Sequence, residues 1–226
     1  YAVPAPLVAA RARRLITGGR PELRTGVTPR TGQALYELPC SSRADVEVAI
    51  DHARGAQRAW SRLPIEHRAR IIMRVHDLVL DRQVQLLDLM QLESGKTRLQ
   101  AFEEIADVAL VARHYARAGG SDLASKRAWG AYPVLTRAET IRQPYGVIGI
   151  VSPWNYPQTS LTALFGAQIL ADAGLPDGVL QVVSGEGPTV GQAVVDLADY
   201  VCYTGSTELG RAVAQTAARR RVPSSL

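Results

Sequence analysis

The spacing of apolar residues differs between the two halves of the chain. From Ser42 to Ala118, apolar residues recur every three or four positions, which predicts helices. Ser42 followed by Asp45 resembles a helix-capping arrangement. The pattern predicts a first helix to about Trp60, and then helices over about 64–81, around 86–92 with an end at Gly95, and over about 97–118.

After Gly120 the pattern changes to short apolar runs, each followed by a helical stretch. The runs Val147–Val151, Val179–Val183 and Tyr200–Tyr203 are predicted to be buried strands. Strands that alternate with helices are typical of a parallel sheet with right-handed crossovers. We therefore predict an α/β fold, with a Rossmann-like parallel sheet over residues 145–226. A helical flank with a hairpin segment is expected over residues 1–144.

Composition and charge exclude several classes of protein. Apolar residues make up 46% and charged residues 21% of the 226 positions, as in ordinary globular proteins. No apolar run approaches the ~20 residues that a membrane span needs, and the first residues do not resemble a secretory signal. The net charge is +5, but the arginine clusters at 11–14 and 219–221 have no aromatic platform beside them. We expect a cytoplasmic protein that binds neither nucleic acid nor membrane.

Cysteine and histidine give no support for a metal site. The two cysteines, Cys40 and Cys202, are too few for a disulfide framework or a zinc site, and the four histidines are scattered over the predicted helices. Cys202 lies in a predicted strand without a nearby histidine. We therefore expect it to be a buried thiol rather than a nucleophile.

The strand Val147–Val151 leads into the residues that are the clearest candidates for a chemical role. Pro153 ends the strand and leaves Trp154 and Asn155 at its carboxyl end, where open α/β sheets bind ligands. A fixed Asn155 amide can donate to an oxyanion, which is worth ~3 kcal/mol when well placed. Alternatively, Asn155 ends the strand by bonding its own backbone, and Trp154 either walls a substrate channel or packs under the sheet.

Two glycine-bearing turns between strand and helix are candidate phosphate sites. Gly185-x-Gly187-x-x-x-Gly191 is one residue longer than the usual dinucleotide fingerprint. Thr204-Gly205-Ser206 opens a helix, whose free N–H groups and dipole favour an anion such as a pyrophosphate. Locally, an ordinary capped helix explains this turn equally well. Several such turns at one sheet edge favour a dinucleotide cleft.

An ordered set of motifs resembles the aldehyde dehydrogenase superfamily. The set consists of Leu92–Lys96, Pro153-Trp154-Asn155-Tyr156-Pro157, Ala173–Val179 and Tyr203–Gly210, and it covers almost the whole chain. In the sequence of its helical first half and of Tyr145–Pro157, the chain is most similar to actinobacterial succinic semialdehyde dehydrogenases. The resemblance implies oxidation of a small aldehyde to an acid with NADP or NAD, through a cysteine thioester. It also implies a homodimer or homotetramer.

The resemblance assigns roles by position. Asn155 would supply the side-chain half of an oxyanion hole. Ile150, Val151, Ser152, Pro153, Trp154 and Asn155 would line the nicotinamide side of the cleft. Gly185 would lie near the adenosine, and Thr204, Gly205 and Ser206 would hold the pyrophosphate.

The chain also departs from the family pattern. Family chains carry a helix and a strand after the Trp-Asn-aromatic-Pro segment, ending in a Lys-Pro pair, whereas here Pro157 is followed at once by Gln158-Thr159-Ser160. The family's general base and catalytic cysteine are expected beyond Leu226, and Cys202 does not match that cysteine. Two alternatives to the dehydrogenase therefore stay open: a pairing subunit without catalysis, and a relative that transfers the acyl group to CoA.

Overall fold

A computed structural model describes residues 18, 22–132, 135–152 and 160–226. Within these ranges the chain forms seven helices, seven strands and one π-helical turn. In chain order they are β1 (Leu23–Val27), β2 (Ala34–Pro39), α1 (Arg43–Trp60), α2 (Ile65–Asp81), α3 (Gln83–Ser94), α4 (Arg98–Leu123), β3 (Lys126–Ala128), β4 (Ala138–Thr140), β5 (Ile148–Val151), α5 (Ser160–Asp172), the π-helical turn (Gly187–Gly191), α6 (Gln192–Leu197), β6 (Tyr200–Tyr203), α7 (Thr207–Arg220) and β7 (Ser224–Ser225).

The four helices predicted for the first half are confirmed, with one difference in length. Ser42 caps α1, because its hydroxyl accepts from the Asp45 N–H while the Asp45 carboxylate accepts from the Ser42 N–H at 2.7 Å. Gly95 ends α3 in the left-handed conformation. The sequence predicted that α4 ends at about Ala118, but the helix continues through Gly119-Gly120 to Leu123. Glycine lowers helix stability by ~1 kcal/mol but does not by itself end a helix.

The largest apolar core lies among the helices. Residues of α2, α3, α4 and α5 pack together there with Leu38 of β2. The fully buried side chains of Leu161 and Leu164 place α5 at its centre. The helical first half is thereby joined to the helix that follows β5.

Of the helices that the structure describes, none is both long and apolar enough to span a membrane.

A parallel sheet in the order β5–β6–β7 forms the second layer. Ile148 pairs with Tyr200, and Val151 pairs with Tyr203. Helix α6 covers one face of β5 so closely that a Cβ at Gly149 would come within 2.8 Å of the side chains of Val194 and Ala198. The predicted Rossmann-like parallel sheet is confirmed. Two antiparallel pairs, β1–β2 and β3–β4, lie outside it.

Asp199 fixes the beginning of β5. Its carboxylate accepts from the Val147 N–H at 2.9 Å, and its own N–H donates to the Val147 carbonyl at 2.8 Å. Gly146 has a φ of 112°, and a Cβ there would come within 3.1 Å of the Asp199 side chain. Arg54 of α1 donates to Asp199 at 3.3 Å. One carboxylate therefore connects α1 to the first strand of the sheet.

The predicted strand Val179–Val183 is wrong. In this segment Val182 makes an isolated bridge, and the neighbouring residues form bends and irregular chain. A strand forms only where a neighbour accepts and donates its backbone hydrogen bonds. In the described part of the chain, the sheet ends at β5 and does not extend to this segment. Its apolar sequence is therefore not sufficient to make it a strand.

The capping box of α1 predicts a dependence of stability on pH. Hydrogen bonds from the Ser42 N–H, and then from the Ser42 hydroxyl, hold the pKa of Asp45 below its usual value. This contribution is complete above the unfolded-state pKa of about 4 and is lost as the pH falls through the lowered folded-state pKa. Urea unfolding should show Asp45→Asn to be less stable by about 1 kcal/mol at pH 7.

The difference between Asp45→Asn and the unsubstituted chain should shrink as the pH falls below about 4 and through the lowered folded-state pKa, below which both side chains are neutral. Asp51→Asn, on the same helix with an exposed side chain, is the control and should change stability by less than about 0.5 kcal/mol. A constant difference between the Asp45→Asn chain and the unsubstituted chain at every pH would contradict the ionic origin of the effect.

Candidate functional site

The carboxyl ends of β5 and β6 meet at one edge of the sheet. Val151 lies opposite Tyr203, and the Thr204 N–H donates to the Val151 carbonyl at 3.3 Å. Ser152 and Thr204 therefore leave the sheet side by side, and both are exposed. Carboxyl ends of adjacent parallel strands are where open α/β sheets bind ligands.

The turn Thr204-Gly205-Ser206 leads directly into α7. Ser206 is the N-cap of this helix, and its hydroxyl accepts from the Leu209 N–H at 3.4 Å. The three turn residues are exposed, so an anion can approach the N–H groups of the first helical turn. Glu208 in that turn carries negative charge and opposes an anion. The arrangement is an accessible helix N-terminus at the sheet edge.

Tyr203 explains one of the two glycines that lie beside its ring. A Cβ at Gly205 would overlap the Tyr203 hydroxyl and come within 2.7 Å of its ring, whereas a Cβ at Gly210 would make ordinary contact with the ring at 3.5 Å. The Tyr203 hydroxyl also donates to the Ser206 carbonyl at 3.4 Å. Gly205 is therefore required by close packing against a buried ring at the end of β6.

Gly185 lies at a different place, beside the start of α1. A Cβ there would come within 2.5 Å of Val190 and 3.2 Å of the Ser41 carbonyl. The Ser41 N–H donates to the Ser184 carbonyl at 2.6 Å, which holds the Gly185 turn against the residues before α1. Packing thus accounts for the glycine at this position, and the structure shows no hydrogen bond between the described residues of this turn and Thr204-Gly205-Ser206.

The other predicted site residues lie along and just beyond β5. Val151 is half-buried, whereas Ile150 and Ser152 are exposed. Pro153, Trp154 and Asn155 lie outside the described residues, so the oxyanion role of Asn155 stays a prediction. Cys202, opposite Ile150 in the sheet, is half-buried rather than fully buried. Among the described residues there is no cluster of three or more side chains suited to a metal ion.

Glu93 of α3 is a buried acid whose position sequence reasoning did not explain. Its carboxylate accepts from the N–H groups of Leu161 and Thr162 at 2.9 and 2.8 Å, and from the Thr162 hydroxyl at 2.7 Å. The Tyr36 hydroxyl donates to it as well, at 2.7 Å. Glu93 therefore binds the first turn of α5, which directly follows the segment that carries Asn155.

A sequence signal for this role exists. Glu93 stands seven, four and three positions after Leu86, Leu89 and Met90, which places it on the apolar face of α3. An acid on an apolar helix face needs hydrogen-bond donors. Burial, and then the Glu93 carboxylate, raise the pKa of Tyr36 above its usual range, so this hydroxyl stays a donor at physiological pH.

Comparison with known proteins places the chain in a family. The model for the aldehyde dehydrogenase family matches residues 19–159 and 157–226. A Mycolicibacterium smegmatis protein with the provisional name succinate-semialdehyde dehydrogenase (NADP(+)) is 38% identical over 216 residues, which cover 85% of this chain and 42% of that protein. The chain belongs to the aldehyde dehydrogenase family, and it spans less than half the length of that relative.

Solved structures agree with the family assignment. Succinate-semialdehyde dehydrogenase from Burkholderia pseudomallei superposes with a TM-score of 0.86 at 26% identity, over 91% of this chain and 48% of that one. An NADP-dependent enzyme of E. coli gives a TM-score of 0.86 at 29% identity, over 94% and 50% of the two chains.

The family match is interrupted just beyond β5. It consists of two segments that meet at residues 157–159, within the stretch where the sequence departs from the family pattern. The alignment with the Mycolicibacterium protein extends over 216 positions but takes in 85% of the 226 residues of this chain. That relative therefore has residues inside the aligned region for which this chain has no counterpart.

Removing the charge of Glu93 should destabilise the fold. In Glu93→Gln, one acceptor oxygen becomes an NH₂ group that faces backbone N–H donors, so we expect a loss of about 2 kcal/mol or more in the free energy of unfolding. Urea denaturation measures the change. Glu103→Gln, at an exposed position on α4, is the matched control and should lie within about 0.5 kcal/mol of the unsubstituted chain. Equal stability of Glu93→Gln and Glu103→Gln would show that the Glu93 carboxylate does not stabilise the start of α5.

Two glycine substitutions test the packing of Tyr203. Gly205→Ala should lower the free energy of unfolding by about 1–3 kcal/mol, because the new methyl group overlaps the Tyr203 ring. Gly210→Ala, within α7 and at ordinary contact distance, should be neutral or stabilising by up to about 1 kcal/mol. Thermal unfolding measures the stability of both variants. A Gly205→Ala chain as stable as the Gly210→Ala chain would contradict the close packing of Gly205 against the Tyr203 ring.

Proposed function

We propose that this chain is the cofactor-binding part of an enzyme that oxidises an aldehyde to a carboxylic acid with NADP or NAD. Succinic semialdehyde is the favoured substrate. The observation that carries the proposal is the pairing of Val151 with Tyr203, which brings Ser152 and the exposed turn before α7 to one sheet edge. Membership of the family supports the reaction class.

The residues at this edge suit a dinucleotide. The N–H groups at the start of α7, the bare backbone of Gly205 and the hydroxyls of Thr204 and Ser206 would hold the pyrophosphate. Ile150 to Asn155 would line the nicotinamide side, and Gly185 would lie near the adenosine. When bound, the nicotinamide supplies the hydride acceptor for the oxidation. The names of the Mycolicibacterium and E. coli proteins favour NADP over NAD.

Asn155 is the residue of this chain that we assign to the chemical step. In the complete protein, a cysteine from elsewhere in the sequence would attack the aldehyde carbon and later carry the acyl group as a thioester. The Asn155 amide would donate to the oxygen that becomes negatively charged during the attack. The charge develops only as the bond forms, so the amide would stabilise the transition state more than the bound aldehyde.

The interrupted family match favours a second candidate function. A chain that lacks residues which a relative carries within the aligned region can retain the fold without catalysis and act as a pairing subunit. Formation of reduced cofactor that depends on succinic semialdehyde, measured by absorbance with the complete gene product, separates the two functions. An intact gene product that binds NADP or NAD but never reduces it would favour the pairing subunit.

Asn155→Ala tests the assignment of the chemical step. In the complete protein we expect kcat to fall by about 10²–10³, because one oxyanion donor is lost, while the Kd for the dinucleotide stays within about twofold. Gln143→Ala, at an exposed position before β5, is the control and should leave both quantities unchanged. An unchanged kcat in Asn155→Ala would exclude the oxyanion role, and a loss of dinucleotide affinity alone would reassign Asn155 to binding.

A further inference from the structure

An apolar cavity of about 350 Å³ opens beside β5. Residues of four parts of the chain line it: α1, the strand β5 with the two residues before it, the segment 179–183, and α6 through Val194. Gln57 and Gln181 are the polar side chains among the described residues that line the cavity, and the others are apolar or glycine. The cavity is therefore suited to an apolar occupant rather than to a charged ligand.

One wall of this cavity is a strand with an open edge. In the described part of the chain, β5 pairs with β6 alone. The carbonyls of Val147 and Val151 accept hydrogen bonds from residues on the β6 side. Backbone groups alternate in direction along a strand, so the N–H and C=O groups of Ile148 and Ile150 point towards the opposite edge. These four groups can pair with a further strand.

The side chains of the same two residues show unusual exposure. Ile148 is 51% and Ile150 63% exposed, although strands of parallel sheets are normally buried on both faces. Gly149 between them is buried under α6. Covering these two isoleucines would remove apolar surface from water and so stabilise the sheet.

The segment 179–183 forms another wall and has the sequence of a buried strand. Gly178 has a φ of 83°, and a Cβ there would come within 2.9 Å of Ala56 in α1, so the segment begins close against that helix. Its residues Val179, Leu180 and Val183 face the same cavity as β5. A strand placed between β5 and this segment could bond to the open edge of β5 on one side and to this segment on the other.

The family comparison indicates what fits this place. The two matched segments of the chain meet at 157–159, a few residues after β5, and the Mycolicibacterium relative has additional residues in the aligned region. We propose that the cavity is a vacant strand position that binds an extended apolar peptide from another polypeptide, parallel to β5, and so completes the sheet. The peptide backbone bonds to Ile148 and Ile150, and its side chains fill the apolar cavity. Such addition of a strand to an open sheet edge is a known mode of peptide recognition.

A synthetic peptide tests the proposal directly. Its sequence is that of the Mycolicibacterium smegmatis residues opposite the break at 157–159, and a scrambled peptide of the same composition is the control. We expect binding of one peptide per full chain, measured by calorimetry, and a rise in Tm of several degrees at saturation. In hydrogen exchange, the amides of Ile148 and Ile150 should slow by about tenfold or more, and those of Gly149 and Val151 should change little.

Variants of the cavity walls locate the binding site. Ile148→Lys and Leu180→Lys each place a charge in the cavity from a different wall, and each should weaken peptide binding by about tenfold or more. Ile141→Lys is the matched control, because Ile141 is also exposed, at 62%, but does not line the cavity. It should bind the peptide like the unsubstituted chain. Circular dichroism of the three variants checks that each of them folds.

Three results would overturn the proposal. The first is equal binding of the native and scrambled peptides. The second is peptide binding that neither Ile148→Lys nor Leu180→Lys weakens, which would place the peptide elsewhere. The third is protection of the Ile148 and Ile150 amides that depends on protein concentration without peptide, which would make a second copy of this chain the occupant. Enzymatic activity enters none of these measurements, so they are independent of the proposed function.

Discussion

The candidate site depends on the backbone hydrogen bonds between β5 and β6. These bonds set Val151 opposite Tyr203, and this register alone decides that Ser152 and Thr204 emerge together. A shift by one residue would turn every side chain of β5 to the other face and would move Gly149 away from α6. Asp199 prevents such a shift, because it bonds both the N–H and the C=O of Val147 at the point where the strand begins.

The elements on either side of the candidate site are held in place by buried or half-buried carboxylates as well as by apolar contact. Asp199 bonds Arg54 of α1 as well as β5, and Glu93 of α3 bonds both Tyr36 of β2 and the start of α5. Apolar packing is tolerant of small displacements, whereas a carboxylate with several donors has one good position. The segment that carries Asn155 is thus bounded on both sides by elements in fixed positions.

Local pattern in the sequence was sufficient for most of the fold. Helices α1 to α3 and the strands β5 and β6 follow from apolar spacing, capping residues and glycine ends, which act over a few residues. The strand predicted at Val179–Val183 failed because a strand also needs a neighbour, and no local pattern reports whether a neighbour exists. The need for glycine at position 205 could not be predicted either, because the sequence shows a glycine before a helix but not the Tyr203 ring packed against it.

The hydrogen bonds of Glu93 also constrain the order in which the chain can fold. Its partners Tyr36, Leu161 and Thr162 lie 57, 68 and 69 residues away in the sequence. Tyr36 precedes α3 along the chain, and the other two residues follow it. Contacts at such separations require the closure of long loops, which makes them slow to form. The burial of Glu93 with all its donors therefore requires both β2 and α5 to reach α3, so this carboxylate depends on contacts that no local segment of the chain can form by itself.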